Sequence, residues 1–226
     1  MKSKISLFIA LCISLYFITS CNDNNTTEDK GNKDTAVSPG ANVSRDTMQH
    51  MDNMQMNMDN VMSSMTSMMS NMKNISMTGD FDIDFANMMI QHHQGAIDMS
   101  QYEVSNGKND KLKSMAQKII STQKEEITKL QDFVKSYKPS GMKHGEGELH
   151  KSMSEMQGAM KSMQMSGDAD KDFATMMIQH HEKGIAMGKK ELANGMSEKL
   201  KQMVKKEASS QAKDIKELQS ILQPNK

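Results

Sequence analysis

The chain has 226 residues, of which 28 are basic and 28 acidic, so its charge gives no reason to expect nucleic-acid binding. Aromatic residues make up 4% of the chain and tryptophan is absent, which leaves few side chains on which bases or sugars could stack. Methionine is the outlier, with 27 residues.

The first 20 residues are predicted to be a signal peptide. A basic start precedes an apolar stretch, residues 5–18, that is too short for a comfortable membrane span. The sequence Ile-Thr-Ser-Cys that ends at Cys21 resembles a bacterial lipobox, so we predict that Cys21 is lipidated and anchors the protein to a membrane. An ordinary secretory signal that is cleaved nearby is the alternative.

Residues 21–45 are polar and predict a flexible tether, because they cannot bury a core. Cys12 is removed with the signal peptide and Cys21 is acylated, so no free thiol remains and any soft-metal ligand must be methionine. The predicted location is the cell envelope, with the lipid anchor in the outer membrane and the protein facing the periplasm or the cell surface. Asn22, next to the lipidated cysteine, favours the outer membrane.

The chain contains an internal repeat. Residues 84–99 read DFANMMIQHHQGAIDM and residues 172–187 read DFATMMIQHHEKGIAM, so 11 of 16 positions are identical at an offset of 88 residues. The same offset holds without a gap from Met54/Met142 to Lys138/Lys226. A repeat of this kind predicts a duplicated structural unit.

Each copy predicts two helices. The first helix opens with three aspartates at alternate positions, one of which can cap it while the others favour its dipole. They are Asp80, Asp82 and Asp84 in copy one and Asp168, Asp170 and Asp172 in copy two. The helix closes at a glycine suited to a left-handed cap, Gly107 or Gly195. The second helix starts at a good N-cap, Asn109 or Ser197, and carries an apolar stripe. The stripe is Leu112, Met115, Ile119, Ile127, Leu130 and Val134 in copy one and Leu200, Met203, Ile215, Leu218 and Leu222 in copy two, with Gln123 and Gln211 interrupting it at equivalent places.

The expected fold is all-α. Two αα-hairpins with buried stripes predict an antiparallel four-helix bundle of the ferritin-like kind, built from two tandem αα-hairpin repeats with Met-rich flanking helices. The predicted segments are a Met-rich segment at 46–77, the first αα-hairpin at 78–138, a Met/His-rich linker at 139–166 and the second αα-hairpin at 167–226.

The candidate metal ligands are two adjacent methionines and two adjacent histidines per copy, one helical turn apart, and a further methionine. Positions three and four apart share a helix face, so the two sets converge if the first helices of the repeats face each other. Thioether sulfur is soft and prefers Cu(I), and imidazole serves both copper ions, so copper is predicted, with Cu(I) preferred. The predicted ligands are Met88, Met89, His92, His93, Met99, Met176, Met177, His180, His181 and Met187.

Core packing and iron chemistry are the two alternatives to copper binding for these residues. Methionine stripes often fill cores, and a histidine on an apolar face is often a hydrogen-bonded core residue. Iron oxidation chemistry is disfavoured, because no carboxylate stands three residues before any of these histidines, as the Glu-x-x-His motif of di-iron bundles requires. The acidic residues expected near the sites are Glu103, Glu182 and Glu191.

The flanking segments 48–77 and 142–165 are also rich in methionine. Across the repeat, Met56 aligns with His144 and Met62 with His150, an exchange that suits metal ligands better than core residues. We expect these segments to capture copper ions. The alternative is a Met-faced amphipathic helix that covers the bundle or grips a partner peptide.

The repeated motif resembles a family of exported bacterial proteins, domain of unknown function 305 (DUF305), from about residue 80 to the C-terminus. The family implies a ferritin-like bundle, an extracytoplasmic location, and, from characterised relatives, copper binding and copper tolerance. Copy two departs from the pattern at Gly184, where copy one has Ala96. The matching residues are Phe85, Met89, His92, His93, Ala96, Ile97 and Met99, then Phe173, Met177, His180, His181, Ile185 and Met187.

The expected function is that of a lipid-anchored extracytoplasmic copper-binding protein that sequesters, buffers or hands on Cu(I) and supports copper tolerance. Its expected partners are copper ions, the membrane and a copper-transfer protein, with no nucleic acid. No catalytic signature occurs in the sequence, so no enzymatic activity is expected. The alternatives are a copper-dependent oxidoreductase on a ferritin-like scaffold and a Met-rich protein-interaction module.

Overall fold

The computed structural model describes residues 61–139, 141 and 143–223, and these all fall within one compact unit. The predicted signal peptide, Cys21, the tether and residues 46–60 lie outside the described residues. Within the described part, no helix combines the length and the apolar character needed to cross a bilayer.

The described residues form six helices and no strand, which confirms the predicted all-α fold. Helices α2 and α3 form one αα-hairpin, α5 and α6 form the second, and contacts of α2 with α5 and of α3 with α6 close the four-helix bundle. Helix α4 packs against α5 and α2. The helices are α1 (61–73), α2 (Phe81–Asn106), α3 (Asp110–Ser136), α4 (Glu146–Lys161), α5 (Ala169–Asn194) and α6 (Glu198–Leu222).

The predicted capping of the four bundle helices is confirmed, and at the start of α2 and of α5 the first of the three aspartates is the cap. The side chains of Asp80 and Asp168 accept hydrogen bonds from the N–H group three residues ahead, at 3.2 and 3.0 Å. Asn109 and Ser197 cap α3 and α6 in the same way. Each cap satisfies N–H groups that have no partner inside their helix.

The turns that lead into α2 and α5 are built alike. Gly79 and Gly167 have φ of +86° and +78°, a left-handed conformation that glycine adopts without steric cost. The carboxylate of Asp84 accepts the backbone N–H groups of Thr78 and Gly79 at 2.8 and 2.9 Å, and Asp172 does the same in the second repeat. These aspartates fix the chain direction before each motif helix.

The middle aspartate of each helix start joins the two hairpins. Asp82 in α2 accepts hydrogen bonds from the N–H groups of Met196 and Ser197, at 2.9 and 2.8 Å, in the α5–α6 loop. Asp170 in α5 accepts the equivalent two bonds from the α2–α3 loop, at 3.0 and 2.9 Å. Because each carboxylate satisfies donors of the other hairpin, this exchange holds the repeats in register.

The helix-ending glycines depart from the prediction. Gly107 and Gly195 have φ of −66° and −64°, which is extended backbone and not a left-handed cap. A Cβ at either position would collide with Oε1 of the glutamate four residues earlier, Glu103 or Glu191. Glycine is therefore needed because a buried carboxyl group folds back over the helix end.

The acidic residues expected near the sites, Glu103, Glu182 and Glu191, do not lie beside the histidines. Glu182 is exposed, and the other two are buried at the ends of α2 and α5, about 15 Å along the helix from the histidines. Burial and the carboxylate of Asp170 raise the pKa of Glu103 to about 8, and burial and the charge of Asp82 raise the pKa of Glu191 to about 9. Both groups are thus protonated at neutral pH.

The second helices bury a more polar stripe than predicted. In α6, Leu200 and Leu218 are buried as expected, but Met203, Ile215 and Leu222 are only half-buried. Their places inside are taken by Val204 and by three polar side chains, Glu207, Gln211 and Asp214. In α3, the buried set also includes Gln123.

The Met-rich helix α1 is part of the core. Met65, Met68 and Met72 are 0–3% exposed and recur at helical spacing, so this helix covers the bundle with a methionine face. At Gly95 a Cβ would lie 2.6 Å from the sulfur of Met68, so the missing side chain lets α1 approach α2. For residues 61–73, the alternative of a Met-faced covering helix describes the structure.

The burial of α1 predicts a measurable loss of stability. Met72→Ala should lower the free energy of unfolding by about 2–5 kcal/mol, because it leaves a cavity under α1. Met196→Ala, at a methionine that is 47% exposed, should change it by less than about 0.5 kcal/mol. Chemical denaturation followed by circular dichroism measures both, and equal effects would contradict the core assignment of α1.

Candidate metal centre

The four motif histidines meet inside the bundle. His92 and His93 lie on α2, His180 and His181 lie on α5, and all four are 0–2% exposed. The rings of His92 and His180 stack with centroids 3.7 Å apart, and each lies about 6 Å from its sequence neighbour, at 6.2 and 6.0 Å. The predicted convergence of the two repeats is therefore present for the histidines.

Most ring nitrogens of this cluster have no hydrogen-bond partner. Nε2 of His180 lies 2.9 Å from the carbonyl oxygen of His92, and since a carbonyl only accepts, Nε2 carries the proton and Nδ1 keeps its lone pair. Unpartnered buried polar atoms are rare in folded proteins and require an explanation. The unpartnered nitrogens are both of His92, both of His93, Nδ1 of His180 and both of His181.

Three of the imidazoles are held neutral. Burial, and then the neighbouring imidazoles, lowers the pKa of His92 and of His180 well below the ordinary value. Burial and His93 lower the pKa of His181 to about 3. A neutral imidazole keeps the lone pair that a metal requires, so these rings need not lose a proton before they bind.

His93 has different surroundings. Its Nε2 lies 3.6 Å from Oε2 of Glu126 on α3 and 3.7 Å from Oε2 of Glu207 on α6. Burial acts to lower the pKa of His93, but Glu207 and then Glu126 outweigh it and raise the pKa. The pKa of Glu126 itself rises to about 7, chiefly because of burial.

The sequence analysis missed the carboxylates beside the histidines. They are Glu126, Glu207 and Asp214, and they belong to α3 and α6, whereas the motif lies on α2 and α5. Oδ2 of Asp214 lies 3.9 Å from Nε2 of His181, and its other oxygen accepts a hydrogen bond from Lys118 at 3.2 Å. The available signal was the interruption of both apolar stripes by glutamine, three residues before Glu126 and Asp214.

Gln211 and Gly184 shape the space around the cluster. Nε2 of Gln211 donates to Oε1 of Glu207 at 3.0 Å, which orients that carboxylate. A Cβ at Gly184 would lie 2.8 Å from Oε1 of Gln211 and 3.0 Å from Cε1 of His92. The departure of copy two from the Ala96 of copy one thus makes room for a histidine of the other repeat.

The predicted methionine ligands are buried in the same core, each 0–1% exposed. Their sulfur atoms add soft, uncharged donors one turn before the histidines and two turns after them. Among the described residues, no group of three or more His, Cys, Asp or Glu side chains is placed so that it could hold a metal ion as it stands. The methionines are Met88, Met89, Met99, Met176, Met177 and Met187.

A groove on the surface carries further soft side chains. It lies between α1 and α4, has a volume of about 450 Å³, and is lined in part by Met69, His150, Met153 and Met160. The other histidine of the linker segment, His144, instead stacks on Phe81 and contacts the carbonyl oxygen of the α5 C-terminus. Of the two aligned histidines, His150 therefore shares a groove with methionines.

The sequence model of a family described as Domain of unknown function (DUF305) matches residues 23–134 and 135–222. The chain belongs to this family. The two matches confirm the resemblance and its two copies, but the first begins at residue 23, so the expectation that the resemblance starts near residue 80 is wrong. The family description assigns no activity to its members.

No curated protein matches the chain. A solved structure described as CopM in the Ag-bound form (by soaking) is 24% identical, with a TM-score of 0.47. The match covers 62% of this chain and 92% of that chain. The silver belongs to that protein, and a likeness at this level assigns no ligand to the DUF305 protein described here.

The neutral histidine cluster predicts acid sensitivity of the metal-free protein. Because the folded pKa of His181 is about 3 and its unfolded value about 6.5, the unfolded state takes up the proton first, and stability is lost as pH falls below 6.5. His181→Leu should reduce this loss by about 1.4 kcal/mol per pH unit. Denaturant unfolding at pH 7, 6 and 5 measures it, and identical slopes would show that folded His181 is protonated.

Proposed function

We propose that this protein is a lipid-anchored extracytoplasmic copper-binding protein that sequesters, buffers or hands on Cu(I) and thereby supports copper tolerance. The observation that carries the proposal is the buried group of neutral, unpartnered imidazole nitrogens on α2 and α5. Each such atom costs about 1–3 kcal/mol when it is left without a partner. A bound metal ion offsets this cost by accepting the lone pairs.

The choice of Cu(I) rests on the sulfur atoms that accompany the imidazoles. Thioethers are neutral and soft, and they bind Cu(I) far better than the hard cations that prefer oxygen. A core without thiolates and with uncharged donors suits a monovalent ion, because little net charge is buried on binding.

The groove between α1 and α4 supports a capture step. Met69, Met153, Met160 and His150 are reachable there, whereas the central ligands are buried. An ion is first held weakly in the groove and then more firmly by the inner cluster. Transfer to a copper-accepting protein takes place from the same accessible side chains.

The proposed location follows from the N-terminal sequence, with Cys21 as the lipidated residue in the cell envelope. We propose binding and not catalysis as the role, since the sequence carries no catalytic signature. Uptake of oxygen by the copper-loaded protein would instead favour the oxidoreductase alternative.

Removal of two histidines tests the inner cluster. His92→Ala with His93→Ala should lower Cu(I) affinity by at least about 100-fold, because loss even of outer-shell partners costs 10–100-fold. His150→Ala, in the groove, should remove only weak binding. Anaerobic competition titration with a Cu(I) chelator measures the affinity, and circular dichroism checks that the helices persist. Full affinity in the double variant would show that the histidines are structural.

Replacement of methionines tests the softness of the site. Met→Leu nearly conserves volume, so changing Met88, Met89, Met176 and Met177 to Leu should keep the fold. Cu(I) affinity should fall at least about tenfold, while Cu(II), which prefers nitrogen and oxygen, should lose much less. The same change at the core residues Met65 and Met72 is the matched control. Equal losses for both ions would mean that the motif methionines only pack.

A further inference from the structure

One corner of the histidine cluster differs chemically from the rest. His93, Glu126 and Glu207 come from α2, α3 and α6, and the ring of His93 faces both carboxylates at 3.6 and 3.7 Å. These distances exceed the 3.5 Å limit of a hydrogen bond, and His93 is 0% exposed with both ring nitrogens unpartnered. The ring and both carboxylates therefore lie close to one another inside the core.

The distances suit two ligands of one ion. With metal–nitrogen and metal–oxygen bonds of about 2.0–2.2 Å in a tetrahedral site, neighbouring ligand atoms stand about 3.4 Å apart. As they stand, the described side chains could not hold an ion together, so binding requires the ion to draw the two glutamates inward. Oε1 of Glu207 is already held by Gln211, which leaves Oε2 directed towards His93.

The charge of this corner selects the kind of ion. As ligands of a metal ion, the two carboxylates and the imidazole are deprotonated and together carry a charge of −2, which a divalent cation neutralises and a monovalent ion does not. Imidazole nitrogen and carboxylate oxygen are suitable ligands for Zn(II) and Cu(II), which do not need the thioether ligands that Cu(I) prefers. Burial of an uncompensated charge is costly, so neutralisation favours the divalent ion.

The repeat shows that the corner is built once only. At the offset of 88 residues, His93 corresponds to His181 and Glu126 to Asp214, but Glu207 corresponds to Ile119. His181 therefore faces one carboxylate, at 3.9 Å, and Asp214 is also bound to Lys118. Ile119 is 1% exposed and supplies no donor. The duplicated scaffold thus carries a three-donor set on one side alone.

We infer that His93, Glu126 and Glu207 form a site for one divalent cation of borderline hardness, Zn(II) or Cu(II), next to the Cu(I) cluster. The inference deepens the proposed function, on which it rests through the shared His93. The protein then holds two classes of ion by two kinds of ligand within one core.

The test compares Zn(II) and Cu(I) titrations of the metal-free full chain. Wild type should bind one Zn(II). Zn(II) affinity should fall at least about 100-fold in Glu207→Ile, which introduces the residue of the other repeat, and in the isosteric Glu207→Gln. Glu125→Gln, at a 69% exposed neighbour of Glu126, is the matched control and should not change Zn(II) affinity. Circular dichroism confirms that each variant folds.

The outcomes separate the inference from the proposed function. Cu(I) affinity should change less than about threefold in the Glu207 variants, since thioethers and the other imidazoles hold that ion. Unchanged Zn(II) affinity in both variants, or an equal loss of Cu(I), would overturn the inference. A wild type that binds Cu(I) but no Zn(II) overturns the inference alone, and one that binds Zn(II) but no Cu(I) overturns the proposed function alone.

Discussion

The burial of four imidazoles between two hairpins is the constraint on which the rest of the structure depends. Seven ring nitrogens lack partners, and each costs about 1–3 kcal/mol, whereas a domain is stable by only about 5–15 kcal/mol in total. The remaining contacts must therefore hold the bundle firmly. The exchanged bonds of Asp82 and Asp170, the capped helices and the apolar cover of α1 all serve this requirement.

Duplication has produced a symmetric frame with an asymmetric interior. Both repeats keep the capping aspartates, the paired histidines and the buried glutamates at the helix ends. They differ where the two copies touch: Gly184 replaces Ala96 and admits a ring of the other repeat, and Glu207 replaces Ile119. The frame is shared because folding constrains both copies alike. The interior can differ, because residues of one copy meet residues of the other copy there. Such a contact does not require the same residue on both sides.

The sequence allowed the helices, their caps and the meeting of His92 with His180 to be predicted, because capping and helical periodicity act locally. It did not reveal Glu126, Glu207 or Asp214, because the rotation of α3 and α6 about their axes depends on packing between helices. A polar residue next to an apolar stripe is predicted to lie at the surface unless its buried partner is known. The methionines of α1 were ambiguous for another reason: the same flexible, soft side chain fills cores and binds copper.

The placement of carboxylates on one side of the cluster links the two proposals. Thioethers and neutral imidazoles favour Cu(I), whereas His93 with its two glutamates favours a divalent ion, so a change of copper oxidation state changes which side of the core binds more tightly. Because His93 belongs to both sets, the two ions compete for it when both are present. Occupancy of the divalent corner should then weaken Cu(I) binding through this ring, a coupling that by linkage must be equal in both directions. Such a core would release the reduced ion as the harder one enters.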